Sequence, residues 1–294
     1  MRVLKISPRG YCYGVVDAIQ MAKRVARDPA VPRPIYILGQ IVHNHHAVDS
    51  LQELGIINLD GPDRMALLDQ VTTGTVIFTA HGVSPAVKAA ARAKGLNCVD
   101  ATCPDVTRTH DLVLDLVARG YEIVYVGKRG HPEPEGVIGE APEHVHLVET
   151  VAEAETLNIE SPRLAITTQT TLSQWDTQEI IDRVKARYPH VQVHNDICHA
   201  TQERQNAATT QVEGADLVVV VGDERSNNSM RLVHVVREIA GRPAVLVDDV
   251  EHLSPEILQG VGTVAVTSGS STPSEVTRAV IQYLERFVSD RDGE

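Results

Sequence analysis

Short apolar segments rich in β-formers alternate with amphipathic helical segments along almost the whole of this 294-residue chain. The predicted strands are segments 3–7, 35–38, 76–79, 122–126, 164–167, 217–221, 244–247 and 263–267. The predicted helices are segments 15–27, 47–54, 85–93, 106–118, 174–188, 229–240 and 274–287. Parallel strands need long crossover connections, usually helices, so this alternation predicts an α/β fold with largely parallel sheets.

Three of the four cysteines, Cys12, Cys103 and Cys198, follow one another at nearly equal intervals. Each comes after a strand-like segment and before a helical one, which predicts three similar α/β units that each present one cysteine at a strand-to-helix turn. The predicted domains are an N-terminal strand 1–12, α/β domains 13–99, 100–195 and 196–286, and a C-terminal tail 287–294. Cys98 lies inside a strand-like segment, and a structural role is predicted for it.

Charge and composition exclude several classes of function. The chain has 27 basic and 39 acidic residues, for a net charge of −12, which argues against a broad surface for nucleic acid or an anionic membrane. No segment approaches the roughly 18 apolar residues that span a membrane, and the N-terminus lacks the apolar core of a signal peptide. We therefore expect a soluble, cytoplasmic protein in a reducing compartment, with any anion site built locally.

Polar residues follow the predicted strands, in the segments GQIVHNHH, AHGVSP, GKRGHPEPEG, TQTTLS, GDERSNNS and SGSSTPSE. Ligands of α/β proteins bind beyond the carboxyl ends of strands, and hydroxyls, amides and helix-start N–H groups suit a phosphate-sized anion. Serine and threonine before a helix are also ordinary N-caps, so each residue alone is compatible with a purely structural role. Neither a GxxxxGK[ST] nor a GxGxxG motif occurs, so the usual nucleotide-binding patterns are absent from the sequence.

Glu133 lies between two prolines in a predicted loop bounded by glycines. It is a candidate proton donor if burial or a metal cluster raises its pKa, and Glu135 of the same loop remains an alternative. Three thiolates from three units can converge on one metal centre that keeps a fourth position for another ligand or for substrate. Soft thiolate ligands are compatible with both zinc and an iron–sulfur cluster.

Eight segments together resemble the LytB/IspH family of 4-hydroxy-3-methylbut-2-enyl diphosphate reductases, the last enzymes of the methylerythritol phosphate route to isoprenoids. These segments occur in the family's order and span nearly the whole chain. They are PRGYCYGV (8–15), GQIVHN (39–44), AHGVS (80–84), DATCP (100–104), GHPEPEG (130–136), TQTTLS (168–173), NDIC (195–198) and SGSSTP (268–273).

The resemblance implies three small α/β domains in a pseudo-threefold trefoil around a [4Fe–4S] cluster, one per chain, in which one iron has no protein ligand. The implied cluster ligands are Cys12, Cys103 and Cys198. The implied diphosphate-binding residues are His43, His81, Ser226, Asn228 and Ser271, together with Asn227, which stands where the family pattern has a serine. His131, Glu133 and Thr170 are expected at the hydroxyl end of the substrate, with Glu133 as the proton source.

The implied reaction is a two-electron reductive dehydration that yields isopentenyl and dimethylallyl diphosphate. A ferredoxin or flavodoxin is the expected electron donor, since the sequence has no nicotinamide or flavin motif. The alternatives are an aconitase-like dehydratase acting on a phosphorylated small molecule, a non-catalytic module that binds a diphosphate or a cluster, and a zinc hydrolase.

Overall fold

The computed structural model describes residues 1–291, which form twelve β-strands, eleven α-helices and one 3₁₀ turn at Pro255–Leu258. The strands are β1 (Arg2–Lys5), β2 (Ile35–Leu38), β3 (Ile56–Leu59), β4 (Thr75–Phe78), β5 (Asn97–Asp100), β6 (Glu122–Val126), β7 (Val145–Val148), β8 (Leu164–Thr168), β9 (Gln192–Val193), β10 (Leu217–Val221), β11 (Ala244–Val247) and β12 (Thr263–Ser268). The helices are α1 (Tyr13–Arg27), α2 (His45–Gln52), α3 (Arg64–Asp69), α4 (Pro85–Ala93), α5 (Pro104–Ala118), α6 (Pro132–Ile138), α7 (Val151–Thr156), α8 (Gln174–Arg187), α9 (His199–Thr210), α10 (Asn227–Glu238) and α11 (Ser274–Arg291).

The strands form three separate four-stranded sheets, in which every pairing is parallel. The first sheet has the order β3-β2-β4-β5, the second β7-β6-β8-β9 and the third β11-β10-β12-β1. Each sheet therefore repeats one topology, and the N-terminal strand β1 supplies the fourth strand of the third sheet. The predicted α/β class with parallel sheets is confirmed, and the three sheets share the repeated pattern that the cysteine spacing predicts.

The chain divides into two compact units. The terminal unit comprises Met1–Tyr13, His43–Ala47 and the chain from His199 onward, and it contains the third sheet. The central unit comprises Gly14–Val42 and Val48–Cys198, and it contains the first and second sheets. The finer division at residues 13, 100 and 196 stays a prediction.

The inner strands are buried on both faces, as parallel strands covered by helices must be. In β6, Val124 and Val126 pack into one apolar cluster, whereas Ile123 and Tyr125 pack into another on the opposite face. All five residues of β10 are buried, and they also divide between two clusters. The strand ends are thus held rigidly by core packing, which fixes the backbone of the segments that follow them.

The strands that the sequence does not predict, β3 and β7, both lie at sheet edges. Both mix buried residues with exposed or partly exposed ones, so neither presents a clear apolar period. At the C-terminus, 287–291 of the predicted tail belongs to α11, since no glycine or proline interrupts the helical sequence there. The remaining part of that tail, 292–294, lies outside the described residues.

No helix among residues 1–291 combines the length and the apolar character needed to cross a membrane.

Candidate functional site

The predicted site residues follow the two central strands of each sheet. In a sheet of this order the connections leave in opposite directions from those two strands, which opens a crevice at their carboxyl ends. In the first sheet His43 follows β2 and His81 follows β4, and in the second sheet His131 and Glu133 follow β6. The remaining residues obey the same rule: Thr170 follows β8, Ser226–Asn228 follow β10, and Ser271 follows β12.

The three evenly spaced cysteines occupy equivalent positions. Cys12, Cys103 and Cys198 follow the fourth strands β1, β5 and β9, and each directly precedes the first residue of a helix. All four cysteines are partly exposed thiols outside any disulfide. The repeated topology therefore presents one thiol at the N-terminal end of a helix in each of the three sheets.

Cys98 differs from the other three cysteines. It lies within β5, and its side chain packs against the apolar core of the first sheet. Burial raises the pKa of its thiol, which disfavours a metal-binding thiolate. Both observations agree with the structural role predicted for it.

The side chain of Cys103 fits against α1 only because the neighbouring residue of that helix is a glycine. Gly14 of α1 packs so closely against Cys103 that a β-carbon at position 14 would overlap the sulfur. The backbone N–H of Cys103 donates to the carbonyl of Ala80 at 3.0 Å, which ties the cysteine to the segment carrying His81.

In the central unit, close contacts connect the remaining predicted residues. The rings of His81 and His131 meet edge to face with their centroids 5.4 Å apart. Thr170 donates to the Glu133 carboxylate from its backbone N–H at 2.6 Å and from its hydroxyl at 3.0 Å. The carbonyl of Thr170 accepts from the N–H of Cys198 at 3.0 Å. Thr170 therefore connects Glu133 to Cys198, one of the predicted cluster ligands, through hydrogen bonds.

Glu133 lies in the first turn of α6, so the prediction of a loop at this position was wrong. Prolines in a first helical turn are tolerated, because the N–H groups that they lack would have no partner within the helix. His131 caps this helix by accepting the N–H of Glu133 on Nδ1 at 3.2 Å, which leaves Nε2 to carry the proton of the neutral ring.

The carboxyl group of Glu133 is almost completely buried, with 1% of the residue exposed. Burial raises its pKa to about 7, even though the two hydrogen bonds from Thr170 and the contact with the Tyr125 hydroxyl favour the ionised form. The nearby charge of Asp196 raises the pKa further. A carboxyl group with this pKa can both hold and release a proton near neutral pH.

In the terminal unit, a second set of contacts connects Cys12 to the polar strand ends. The N–H of Cys12 donates to the carbonyl of Ser270 at 3.1 Å, and the N–H of Ser270 donates to Oδ1 of Asn228 at 2.9 Å. The hydroxyl of Ser271 lies 3.1 Å from that of Ser226 and 3.2 Å from the carbonyl oxygen of His43. These hydroxyl and amide groups converge as a small anion site requires.

Ser226 is at once the N-cap of α10 and a member of this group, since its hydroxyl accepts the N–H of Ser229 at 3.3 Å. Asn227, which stands where the family pattern has a serine, is the first residue of α10 and is buried. At that position its backbone N–H points out of the helix start, where an anion is favoured.

Four supporting residues were not predicted as part of the site. Arg204 is buried in α9 and donates to the carbonyl of Gly10 at 2.7 Å, which braces the segment before Cys12. Tyr125 and Asp196 act on the Glu133 carboxyl, and His110 contacts Gly82 and Gly136. No sequence pattern indicates these four residues, because each acts through a contact with a residue distant in the sequence.

The model of the LytB protein family matches residues 3–285. A relative from Symbiobacterium thermophilum, named 4-hydroxy-3-methylbut-2-enyl diphosphate reductase, is 62% identical over 288 residues, or 98% of each chain. A relative of the same name from Bacillus subtilis is 57% identical over 287 residues, or 98% of this chain and 91% of the relative.

Two solved structures are similar to this chain over nearly its full length. The E-1-hydroxy-2-methyl-but-2-enyl-4-diphosphate reductase from Plasmodium falciparum superposes with a TM-score of 0.90 and 34% identity over 96% of this chain and 87% of that one. A structure described as (E)-4-hydroxy-3-methyl-but-2-enyl diphosphate reductase, the terminal enzyme of the non-mevalonate pathway, has a TM-score of 0.69 and 30% identity, and covers 97% of this chain and 100% of that one.

Proposed function

Because the chain belongs to the LytB family of iron–sulfur oxidoreductases of isoprenoid biosynthesis, we propose that it reduces (E)-4-hydroxy-3-methylbut-2-enyl diphosphate to isopentenyl and dimethylallyl diphosphate. Each turnover takes up two electrons and two protons, exchanges the allylic hydroxyl for hydrogen and releases one water. The observation that carries this proposal is the buried carboxyl group of Glu133, whose pKa of about 7 suits a proton donor.

The cofactor that we propose is one [4Fe–4S] cluster, with Cys12, Cys103 and Cys198 as its ligands and one iron without a protein ligand. The three thiols fit this role, since each directly precedes a helix, and the missing β-carbon of Gly14 makes room for the sulfur of Cys103. When bound, such a cluster supplies electrons and Lewis acidity at one place.

Glu133 donates the proton that the departing hydroxyl needs. Thr170 fixes the orientation of that carboxyl through two hydrogen bonds, and the hydroxyl of Tyr125 contacts the same carboxyl. His131 holds the first turn of α6, and so the backbone of Glu133, in place. Burial of these groups excludes bulk water, so the proton passes to the substrate instead of to solvent.

The diphosphate-binding residues that we propose carry hydroxyl, amide or imidazole groups, and they are His43, His81, Ser226, Asn227, Asn228 and Ser271. Ser226 and Ser271 lie within hydrogen-bonding distance of each other and can direct both hydroxyls to one phosphate. The start of α10 adds backbone N–H groups of a first helical turn and the positive end of a helix dipole. Such a site binds a diphosphate without a broad basic surface, in keeping with the net charge of −12.

The electrons come from a separate protein of the ferredoxin or flavodoxin type. The requirement for an external reductant separates this function from that of a dehydratase, which leaves the oxidation state of its substrate unchanged.

The test is anaerobic turnover of 4-hydroxy-3-methylbut-2-enyl diphosphate with a chemical reductant, with the products separated and quantified. We expect Glu133→Gln to lower kcat by about 10²- to 10⁴-fold, because the amide cannot donate a proton as an acid does. Glu135→Gln is the matched control on the same helix, and it should keep activity and iron content near those of the parent. Turnover without reductant, or full activity in Glu133→Gln, would contradict the proposed function.

A further inference from the structure

A second cluster of potential ligands lies where α2 begins, apart from the residues assigned above. His45 and His46 are the first two residues of α2, and Asp248 and Asp249 directly follow β11. All four belong to the terminal unit. We infer that His45, His46 and Asp248 bind a divalent transition-metal ion, zinc being the best match, with Asp249 as the fourth ligand.

The separations between these atoms match coordination better than hydrogen bonding. Nδ1 of His45 lies 3.3 Å from Oδ2 of Asp248, and Nε2 of His46 lies 3.8 Å from Oδ1 of Asp248 and 3.8 Å from Oδ2 of Asp249. One ligand atom from each of His45, His46 and Asp248 falls within 4.8 Å of the others. In a tetrahedral zinc site, bonds of about 2.0–2.2 Å place neighbouring ligand atoms about 3.3 Å apart.

Two of these atoms are buried without a compensating hydrogen bond. Nε2 of His46 and Oδ1 of Asp248 are inaccessible to solvent, and neither has a hydrogen-bond partner among residues 1–291. A buried polar atom in this state costs free energy, and a bound cation would satisfy both atoms at once.

The neighbouring groups leave the fourth ligand position to Asp249. Its Oδ1 accepts from Nδ1 of His252 at 2.8 Å and from the N–H of Glu251 at 2.8 Å, and its Oδ2 is the oxygen that faces His46. Such an outer hydrogen bond orients a ligating carboxylate. Asp223, also close to His45, has both oxygens occupied by Arg225 and by the N–H of His45, so it is not a ligand.

A second group of two histidines around a carboxylate shows the distances of an ordinary histidine–carboxylate hydrogen bond in this protein. Glu122 accepts from Nδ1 of His144 at 2.8 Å and from Nε2 of His146 at 2.7 Å. Those distances are normal hydrogen bonds, which leave no room for a metal ion between the atoms.

Access and chemistry both favour a transition metal. The cluster opens into a pocket of about 1080 Å³ whose lining includes His45, Asp248 and His252. Two imidazoles with two carboxylates suit zinc or a neighbouring divalent metal, whereas magnesium and calcium prefer oxygen ligands alone.

The experiment uses the anaerobically prepared, cluster-containing protein dialysed against zinc chloride at buffered free concentrations, with zinc and iron counted in each sample. We expect one saturable zinc per chain, with affinity lowered about tenfold or more in His46→Ala and in Asp248→Asn. His146→Ala is the matched control and should bind zinc as the parent does. Unchanged iron content in every variant verifies that each is folded.

X-ray absorption at the zinc edge identifies the ligands. We expect nitrogen and oxygen neighbours at about 2.0–2.2 Å and no sulfur at about 2.3 Å. Absence of saturable zinc, zinc affinity in His46→Ala and Asp248→Asn equal to that of the parent, or a sulfur shell that grows as iron is lost would each overturn the inference. The proposed reductase activity does not depend on the result.

Discussion

The carboxyl group of Glu133 shows how one side chain acquires its chemistry from its surroundings. Burial disfavours the ionised form by more than the two Thr170 hydrogen bonds favour it, so the net effect raises the pKa to about 7. Glu135, two residues further along α6, is exposed, and the desolvation that raises the pKa of its carboxyl is opposed by the charge of Arg64. The same residue type in the same helix therefore has two different environments.

The first prediction concerns pH. Glu133 must be protonated to donate, and it loses its proton as the pH rises through about 7. The rate of turnover should therefore be highest below that pH and fall about tenfold per pH unit well above it. A pH profile of kcat with a chemical reductant measures this. A rate that rises through the same range would show that Glu133 acts as a base.

The second prediction concerns the close contact at Gly14. In Gly14→Ala the new methyl group overlaps the sulfur of Cys103, and such overpacking costs about 1–3 kcal/mol or displaces the cysteine. We expect this variant to contain less iron per chain than the parent. Val16→Ala, an exposed change on the same helix, is the control. Equal iron content in the parent and in Gly14→Ala would show that the close packing of Gly14 against Cys103 is not needed for iron binding.

At the scale of elements, most of the candidate site residues lie at or directly before the first residue of a helix. Helices α1, α5 and α9 each begin directly after a cysteine, and α6 and α10 begin at Pro132 and Asn227 within the polar segments. Sequence patterns predict α1, α5 and α10, whose apolar residues recur at helical spacing, and a helical segment after Cys198 where α9 begins. They do not predict α6, whose seven residues include two prolines and one glycine, so tertiary contacts outweigh its local propensity.

The third prediction separates capping from substrate binding. Ser226→Ala removes both the N-cap of α10 and a proposed phosphate ligand, so it should lower stability by about 1 kcal/mol and also raise KM. Thr150→Ala removes the N-cap of α7 alone and should lower stability without changing KM. Thermal unfolding and steady-state kinetics measure the two effects. An unchanged KM in Ser226→Ala would restrict this serine to its structural role.

The fourth prediction concerns the buried pair of His110 in α5 and Glu140, which directly follows the end of α6. Nδ1 of His110 lies 2.6 Å from Oε1 of Glu140, and both side chains are almost fully buried. His110→Ala leaves the carboxylate buried without its partner, so we expect a loss of about 1–3 kcal/mol. His144→Ala breaks an exposed pair with Glu122 and should cost about 1 kcal/mol or less. Equal losses in the two variants would mean that burial does not strengthen the inner pair.

At the scale of the whole molecule, one sheet topology occurs three times, and in each sheet one cysteine follows the fourth strand. The sequence predicts this repeat because the cysteine spacing and the alternation of strands and helices are properties of local order along the chain. It does not predict which strand completes each sheet, and the entry of β1 into the third sheet depends on pairing with β12, more than 250 residues away. The sequence also does not predict the hydrogen bond from Arg204 to the carbonyl of Gly10, because no periodic pattern connects these two residues.

The most direct test of the central claim is the metal content of anaerobically purified protein, with iron, sulfide and zinc measured in the same sample. We predict about four irons and four sulfides per chain, with visible absorption near 400 nm. Replacing Cys12, Cys103 or Cys198 by serine should remove the iron and sulfide, whereas Cys98→Ser should retain both. Zinc bound by those three cysteines in place of iron and sulfide, or a cluster that survives in all three variants, would contradict the account.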